Sequence, residues 1–307
     1  MSAREDLMSA REDLISVRAG ASEARAGAAL RVAFQGERGA FSEEAAVRLL
    51  GEGVTTVPRP TFESLFAAVA EGAADCALAP FENTLAGSVQ RSYDLLLESP
   101  LHVTAEVVIP IRHFLVGCAG ATLEGVRTVE SHPVALAQCE RFFASRPDIR
   151  RVASDDTAGS VNAVMRLGDP TRAAVAGRRA AEVYGARILR EGLEDHPENF
   201  TRFLLLEPAP HVEGGADKLS LVFTLAHRPG ALHAALEPFA RRGLDLLRIE
   251  SRPVRGRPWE YHFYLDLRAA PGRTADEAVA ELRGKATAVR VLGHYPSART
   301  DKAEARP

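Results

Sequence analysis

The sequence predicts an α/β protein of two lobes followed by a smaller α+β unit. Three observations carry this. Short apolar runs alternate with stretches of helical period from residue 31 onward. One β-rich run, 102–117, is too long for a single strand and reads as the chain crossing between lobes. A Pro/Gly-rich stretch at 208–217 then separates a second pattern of βαββαβ order. The expected organisation is a disordered tail at 1–28, the two lobes at 29–207, a linker at 208–217, the second unit at 218–296 and a tail at 297–307.

The elements follow in order. "RVAF" (31–34) reads as a strand, and Ser42 is expected to cap a helix whose first turn holds Glu43 and Glu44, favourable against the helix dipole. "VTTV" (54–57) is a second strand. Phe62, Leu65, Phe66 and Val69 recur at i, i+3, i+4, i+7 and make one buried helical face. "DCALAP" is a third strand, so the β-α-β-α-β order predicts a parallel sheet. A helix is expected around 88–98. After the crossing run the alternation resumes through "SHPVALAQCERFF", "IRRVAS", "TAGSVNAVMRL", "AAVAG" and a helix near 178–184, and "TRFLLLE" closes the lobes. Beyond the linker, "KLSLVFTLA" is a strand and "GALHAALEPFARRG" a helix with Leu232, Ala235, Leu236 and Phe239 on its core face. Pro238 removes an amide donor inside that helix and is expected to kink it, or to mark its start if the first turn is not helical. "LDLLRIESRPV" and "WEYHFYLDL" are strands. Thr274 to Glu277 predicts a capping box for a second helix, and "VRVLGHY" is the last strand.

Composition narrows the function. Of 307 residues, 46% are apolar and 26% charged, and the net charge of −3 offers no basic field for nucleic acid. The apolar runs fall far short of the roughly 20 residues that cross a bilayer. Three irregularly spaced cysteines, Cys76, Cys118 and Cys139, form neither a disulfide scaffold nor a zinc site, so no metal is expected. They suit a reducing cytoplasm. "MSAREDL" occurs at 1–7 and again at 8–14, and the tail has no apolar segment of a secretory signal. There is no dinucleotide loop, Walker motif or nucleophile elbow.

What recurs is a strand end followed by small and hydroxylated residues that open a helix: "GAFS" (39–42), "ENTLAGS" (82–88), "SHP" (131–133) and "DDTAGS" (155–160). Helix N-terminal amides favour anions. One such turn is no more than a capped helix. Four of them at strand ends predict a cleft for a small polyanion, a carboxylate or a phosphate.

The strings themselves carry a resemblance. "GxxGAFSEEAA", "PFENTLAGSVQRSYDLL", "SHPVALAQCERF", "DDTAGS" and "NFTRF" occur in this order and closely resemble prephenate dehydratase, with arogenate dehydratase a near relative. "GALHAAL" and "IESRP" resemble the phenylalanine-binding turns of that family's ACT regulatory domain, and the likeness spans about residues 31–295. It implies a two-lobed, periplasmic-binding-protein-like catalytic domain and a ferredoxin-like ACT domain. It also implies conversion of prephenate to phenylpyruvate with loss of water and carbon dioxide, in phenylalanine biosynthesis. Aromatisation drives that reaction, so no cofactor is implied.

On this resemblance Thr201 of "TRF" is the catalytic residue, a hydrogen-bond donor to the leaving hydroxyl. Asn83 and Thr84 are expected to touch substrate, with Thr157 and Ser160 from the other lobe. Arg202 is a carboxylate clamp or, since strand alternation sends it away from Thr201, one half of an ion pair. Glu82 is a proton source if burial raises its pKa. Ser131 and His132 complete the substrate set, His132 being more often a turn residue than a catalyst. Gly230, Ala231 and Leu232, with Glu250, Ser251, Arg252 and Pro253, are expected to bind phenylalanine as a feedback effector, and paired ACT domains imply a homodimer or homotetramer. Two departures stand out. Thr84 replaces the more usual serine, and "SDDTAGS" looks like the plant-type arogenate dehydratases, where Asp155 or Asp156 would favour the ammonium of arogenate. A non-catalytic amino-acid sensor is the alternative from another class, and "TRF" discriminates against it.

Overall fold

The computed structural model describes residues 29–211, 214–254, 256–257 and 259–298. The duplicated "MSAREDL" and both predicted tails beyond these limits lie outside the described residues. In chain order the first elements are β1 (Arg31–Gln35), α1 (Phe41–Leu50), β2 (Thr55–Arg59), α2 (Phe62–Ala70), β3 (Cys76–Asn83), β4 (Gly87–Ser88) and α3 (Gln90–Glu98). The crossing run forms β5 (His102–Pro110) and β6 (Phe114–Gly117). Then come β7 (Thr128–Ser131), α4 (Pro133–Ala137), α5 (Glu140–Ala144), β8 (Arg150–Ala153), α6 (Thr157–Leu167), β9 (Arg172–Ala176), α7 (Arg178–Tyr184), β10 (Arg187–Arg190) and β11 (Phe200–Glu207). The remainder is β12 (Lys218–Leu225), α8 (Ala231–Arg241), β13 (Asp245–Pro253), β14 (Tyr261–Arg268), α9 (Arg273–Arg283) and β15 (Ala288–Tyr295).

Three sheets result. The first runs β2-β1-β3-β11-β5, with β4 on β3; the second runs β10-β6-β9-β7-β8. β5 and β6 belong to different sheets, so the long run does cross, and its break at 111–113 falls just after Pro110. β1 pairs parallel with β2 and β3, but β6 pairs antiparallel with both β9 and β10. The sheets are therefore mixed, because the chain enters the second one from a crossing strand rather than through a helical crossover. Ala-rich α6 and α7 pack on the second sheet through Ala158, Val161, Val164, Ala180 and Ala181, and Phe34 and Ala40 join the same core.

Two helix starts differ from expectation. α1 begins at Phe41 with Ala40 at its N-cap, so Ser42 lies inside the helix, buried, and caps nothing. α9 begins at Arg273 behind Gly272, which leaves Thr274 two residues past the N-cap and too deep for a capping box. By contrast, Thr61 and Ser64 form a reciprocal capping box on α2.

Chain contacts resolve two compact units: residues up to Ser99 with Val107–Leu204, and Pro100–Glu106 with Leu205 onward. The second unit contains the third sheet, order β13-β14-β12-β15, antiparallel throughout. This is the βαββαβ split arrangement. Its core holds Leu219, Leu221, Phe223, Leu265 and Leu267 from the sheet, with Ala235 and Phe239 of α8 and Ala278 and Leu282 of α9. α8 continues through Pro238 and ends three residues later. A buried ion pair joins Lys218 to both oxygens of Glu106 at 2.9 Å, and the Ala298 amide adds a third bond at 2.7 Å.

Candidate functional site

The end of β3 and the start of β11 meet at Asn83. Its Oδ1 accepts the amides of Leu85 (3.0 Å) and Ala86 (2.8 Å), an Asx turn that forces the chain round after β3. With its oxygen so engaged, Nδ2 must face β11. There it meets Asn199 Oδ1 at 2.7 Å, the Phe200 carbonyl at 3.1 Å and Thr201 Oγ1 at 2.9 Å. Thr84 stitches the same junction: its amide donates to the Phe200 carbonyl, its hydroxyl to the Glu198 carbonyl, and the Phe200 amide donates back to that hydroxyl. Thr84 is thus occupied as a strut. Along β11, Thr201 and Phe203 are buried while Phe200 and Arg202 are half-buried, the alternation a strand imposes.

The network continues inward. Asn199, fully buried, donates from Nδ2 to Gln138 Oε1 at 2.9 Å, and His113 Nε2 reaches the same oxygen at 2.9 Å. Burial pulls His113 below the ordinary histidine range, against the bond to Gln138 and the charge of Glu194, so the ring is neutral at pH 7. The loop before β11 is pinned at two places. Glu194 accepts the His113 amide and pairs with Arg112, and Asp195 accepts the Glu140 and Arg141 amides at the start of α5. Asn199, Gln138 and His113 were absent from the sequence-predicted set. Asn199 and Gln138 lie inside the quoted strings "NFTRF" and "SHPVALAQCERF" and were within reach of that reading, whereas His113 sits in the apolar crossing run 102–117, where a histidine gives no signal of its own.

A second cluster sits at the ends of β7 and β8. Ser131 is fully buried and donates its hydroxyl to the Val175 carbonyl at 2.6 Å, and its carbonyl accepts the Ser154 amide. His132 caps α4, its Nδ1 accepting the Val134 amide at 3.2 Å. Asp156 caps α6 by accepting the Gly159 amide at 2.6 Å, and Ser160 bonds to the Asp156 carbonyl and to Ser154 Oγ. Burial raises Asp156 above its ordinary range against the amides of Gly159, Ala158 and Glu37 and the nearby His132. Asp156 is spent on the backbone, whereas Asp155 is exposed. Thr157 opens α6, and its hydroxyl has no partner among the described residues.

The four small-residue turns therefore cap themselves. In "GAFS", Gly39 donates to Glu43 Oε2 at 2.7 Å, and Glu43 also holds Thr56 (2.8 Å) and Arg179 (3.2 Å). Burial alone would raise Glu43. The Gly39 amide, Thr56 and Arg179 together outweigh it and hold the carboxyl below its ordinary range. Gly39 needs its left-handed φ of 88°, and a Cβ there would lie 2.6 Å from Ala180 Cα. Among the described residues no group of histidine, cysteine and acidic side chains could hold a metal.

In the second unit, Gly230 (φ 76°) precedes α8, the Ala231 amide donates to the Arg228 carbonyl, and Leu232 packs on the core. Glu250 pairs with Arg248 at 3.2 Å. Tyr261 is the register partner of both Leu225 and Pro253. The turn leading to Gly230 and the Glu250–Pro253 strand end thus lie at one end of the sheet, two strand spacings or about 10 Å apart.

Comparison with known proteins identifies the family. Residues 32–211 match the family model for prephenate dehydratase. A chloroplastic arogenate dehydratase/prephenate dehydratase of Arabidopsis thaliana is 41% identical over 87% of this chain and 73% of its own. The solved prephenate dehydratase of Arthrobacter aurescens, in complex with L-Phe, is 32% identical, covers 89% of this chain and 91% of its own, and superposes with a TM-score of 0.80. A solved structure described as GqqA, a novel type of quorum quenching acylase, is 35% identical over 87% of this chain and 98% of its own, also at a TM-score of 0.80. With the family model covering all but the first residue of the first two sheets, and more than half of the chain, the chain belongs to the prephenate dehydratase family.

Proposed function

We propose that this chain catalyses the decarboxylating dehydration of prephenate to phenylpyruvate, with Thr201 as donor to the departing hydroxyl. The observation that carries the assignment is the direction of the bond at Thr201. Asn83 Nδ2 donates to Thr201 Oγ1, so the threonine's own hydrogen is left to point elsewhere. The bond from ring carbon to carboxylate breaks and its electron pair enters the ring as the carbon–oxygen bond breaks. Carbon dioxide leaves, and the departing hydroxide takes a proton to become water. Thr201 supports the developing negative charge on that oxygen. Thr157, whose hydroxyl has no partner among the described residues, is the contact from α6 across the cleft between lobes, and Ser160, buried and bonded to the Asp156 carbonyl and Ser154, supports the turn beneath it. Ser131 and His132 shape that side, and Arg202 or Glu82 borders the other.

The second unit we read as an ACT domain that takes phenylalanine at the Gly230–Leu232 turn and the Glu250–Pro253 strand end. β13 is a sheet edge carrying exposed Leu246, Leu247 and Ile249, with Tyr261 beside it. Such an apolar edge suits pairing with a second copy as a homodimer or homotetramer. The three free, buried thiols suit the cytoplasm.

The test is to supply prephenate and, separately, arogenate near neutral pH, and to quantify phenylpyruvate and phenylalanine against protein-free controls, with and without added phenylalanine. Enzyme-dependent phenylpyruvate, suppressed by phenylalanine, is the expected result. Phenylalanine from arogenate alone would reassign the substrate; product from neither would leave an amino-acid sensor.

A further inference from the structure

We propose that His113 is a positioning residue that anchors the far end of the hydrogen-bond chain ending on the Thr201 hydroxyl, holding Gln138 and Asn199 in the one direction that the Asn83 turn requires. This rests on the dehydratase reading above.

The chain runs His113, Gln138, Asn199, Asn83, Thr201, and three of its members are amides. An amide can turn over, exchanging its oxygen and nitrogen, and a run of three could reverse together and keep every internal bond. Reversal would place the Asn83 oxygen against Thr201, where it would accept the threonine's hydrogen and take it from the substrate. The Asn83 end sets the direction, and the other end must match it. At one end the Leu85 and Ala86 amides can only donate, so Asn83 Oδ1 must accept. At the other end stands His113, and Gln138 Oε1 takes both the Asn199 donor and His113 Nε2. His113 Nε2 must therefore carry the hydrogen, which makes Nδ1 the lone-pair nitrogen.

Nothing else competes for the ring. Its Nδ1 is buried with no partner among the described residues, the residue is 1% exposed, and the Phe41 ring stands edge-on to it at 5.8 Å between centroids. An orphaned Nδ1 is a cost that a purely structural position would shed by using leucine or glutamine. Its backbone is held independently, the amide donating to Glu194 at 2.9 Å. His113 touches no substrate in this scheme; it acts on Thr201 through Gln138, Asn199 and Asn83.

The test compares three variants of the whole protein in steady-state assays with prephenate. His113→Leu removes the donor. His113→Gln places an amide nitrogen near the position of Nε2, and His113→Asn places one near Nδ1. The expected result is a fall in kcat of about 10-fold for His113→Leu and His113→Asn, with KM within about 2-fold, and recovery of most of kcat in His113→Gln. In a Gln138→Leu background the His113 substitutions should add nothing, because the chain is already cut. Equal activity of His113→Asn and His113→Gln would overturn the proposal, as would additive losses with Gln138→Leu. Should His113→Leu not fold, the Asn–Gln comparison still decides. If wild type itself turns over neither prephenate nor arogenate, the dehydratase reading fails instead.

Discussion

Replacing Thr201 with valine separates chemistry from stability. Thr201 is 8% exposed on β11, and valine keeps the β-branch that suits a strand. The only charge-free loss is the hydroxyl, which accepts one bond from Asn83 Nδ2. That nitrogen has two hydrogens and, after the substitution, still two acceptors, Asn199 Oδ1 at 2.7 Å and the Phe200 carbonyl at 3.1 Å. No buried donor is orphaned, so the expected destabilisation is about 0.5–1.5 kcal/mol, the net value of one bond. Loss of a donor to developing negative charge instead costs about 3–4 kcal/mol of transition-state stabilisation, or roughly 10²–10³ in kcat. The assay is phenylpyruvate formation across a range of prephenate concentrations, alongside urea unfolding of the same preparation. Thr201→Ser, which retains the hydroxyl, should stay within about 10-fold of wild type. The reasoning is refuted if Thr201→Val keeps more than half of kcat, or if its activity falls only in step with its stability.

Three further outcomes follow from the geometry. Lys218→Ala strands the Glu106 carboxylate in the second unit and should cost about 3–5 kcal/mol in denaturant unfolding, while Lys218→Met with Glu106→Leu should recover most of it. Gly39→Ala combines a left-handed φ with a 2.6 Å approach to the Ala180 backbone and should lower stability by about 1–3 kcal/mol or more, checked by thermal unfolding. His113 and Glu43 both titrate lower in the folded state than their ordinary values of 6.5 and 4.5. Each contributes stability that is full above those values and is lost as pH falls through the folded pKa, so urea midpoints should decline first below pH 6.5 and again below 4.5. His113→Gln should flatten the first decline.

Most elements were legible because their apolar period was unambiguous: the Phe62–Val69 face, the crossing run and the βαββαβ order all reappear. Helix starts were less so. Serine and threonine near an acidic turn suggested caps at Ser42 and Thr274, but backbone geometry placed Ala40 and Gly272 there, a choice set by how each strand delivers the chain. At the site, Asn83 and Thr201 could be named from motif strings, and their meeting across 118 positions is a tertiary fact that no local spacing carries. His113 was invisible for the opposite reason: a histidine within an apolar run looks like ordinary core until its partners are known.

The self-capped turns bear on how the protein behaves in ordinary buffers. Gly39 and Gly159 already hold the carboxylates of Glu43 and Asp156, and Leu85 and Ala86 already hold the Asn83 oxygen. An incoming oxyanion meets covalently tethered competitors whose effective concentration no dissolved ion approaches. Phosphate and sulfate at tens of millimolar should therefore inhibit only weakly beyond their ionic-strength effect, and selectivity for a dicarboxylate would rest on the shape of the cleft more than on bare attraction for negative charge.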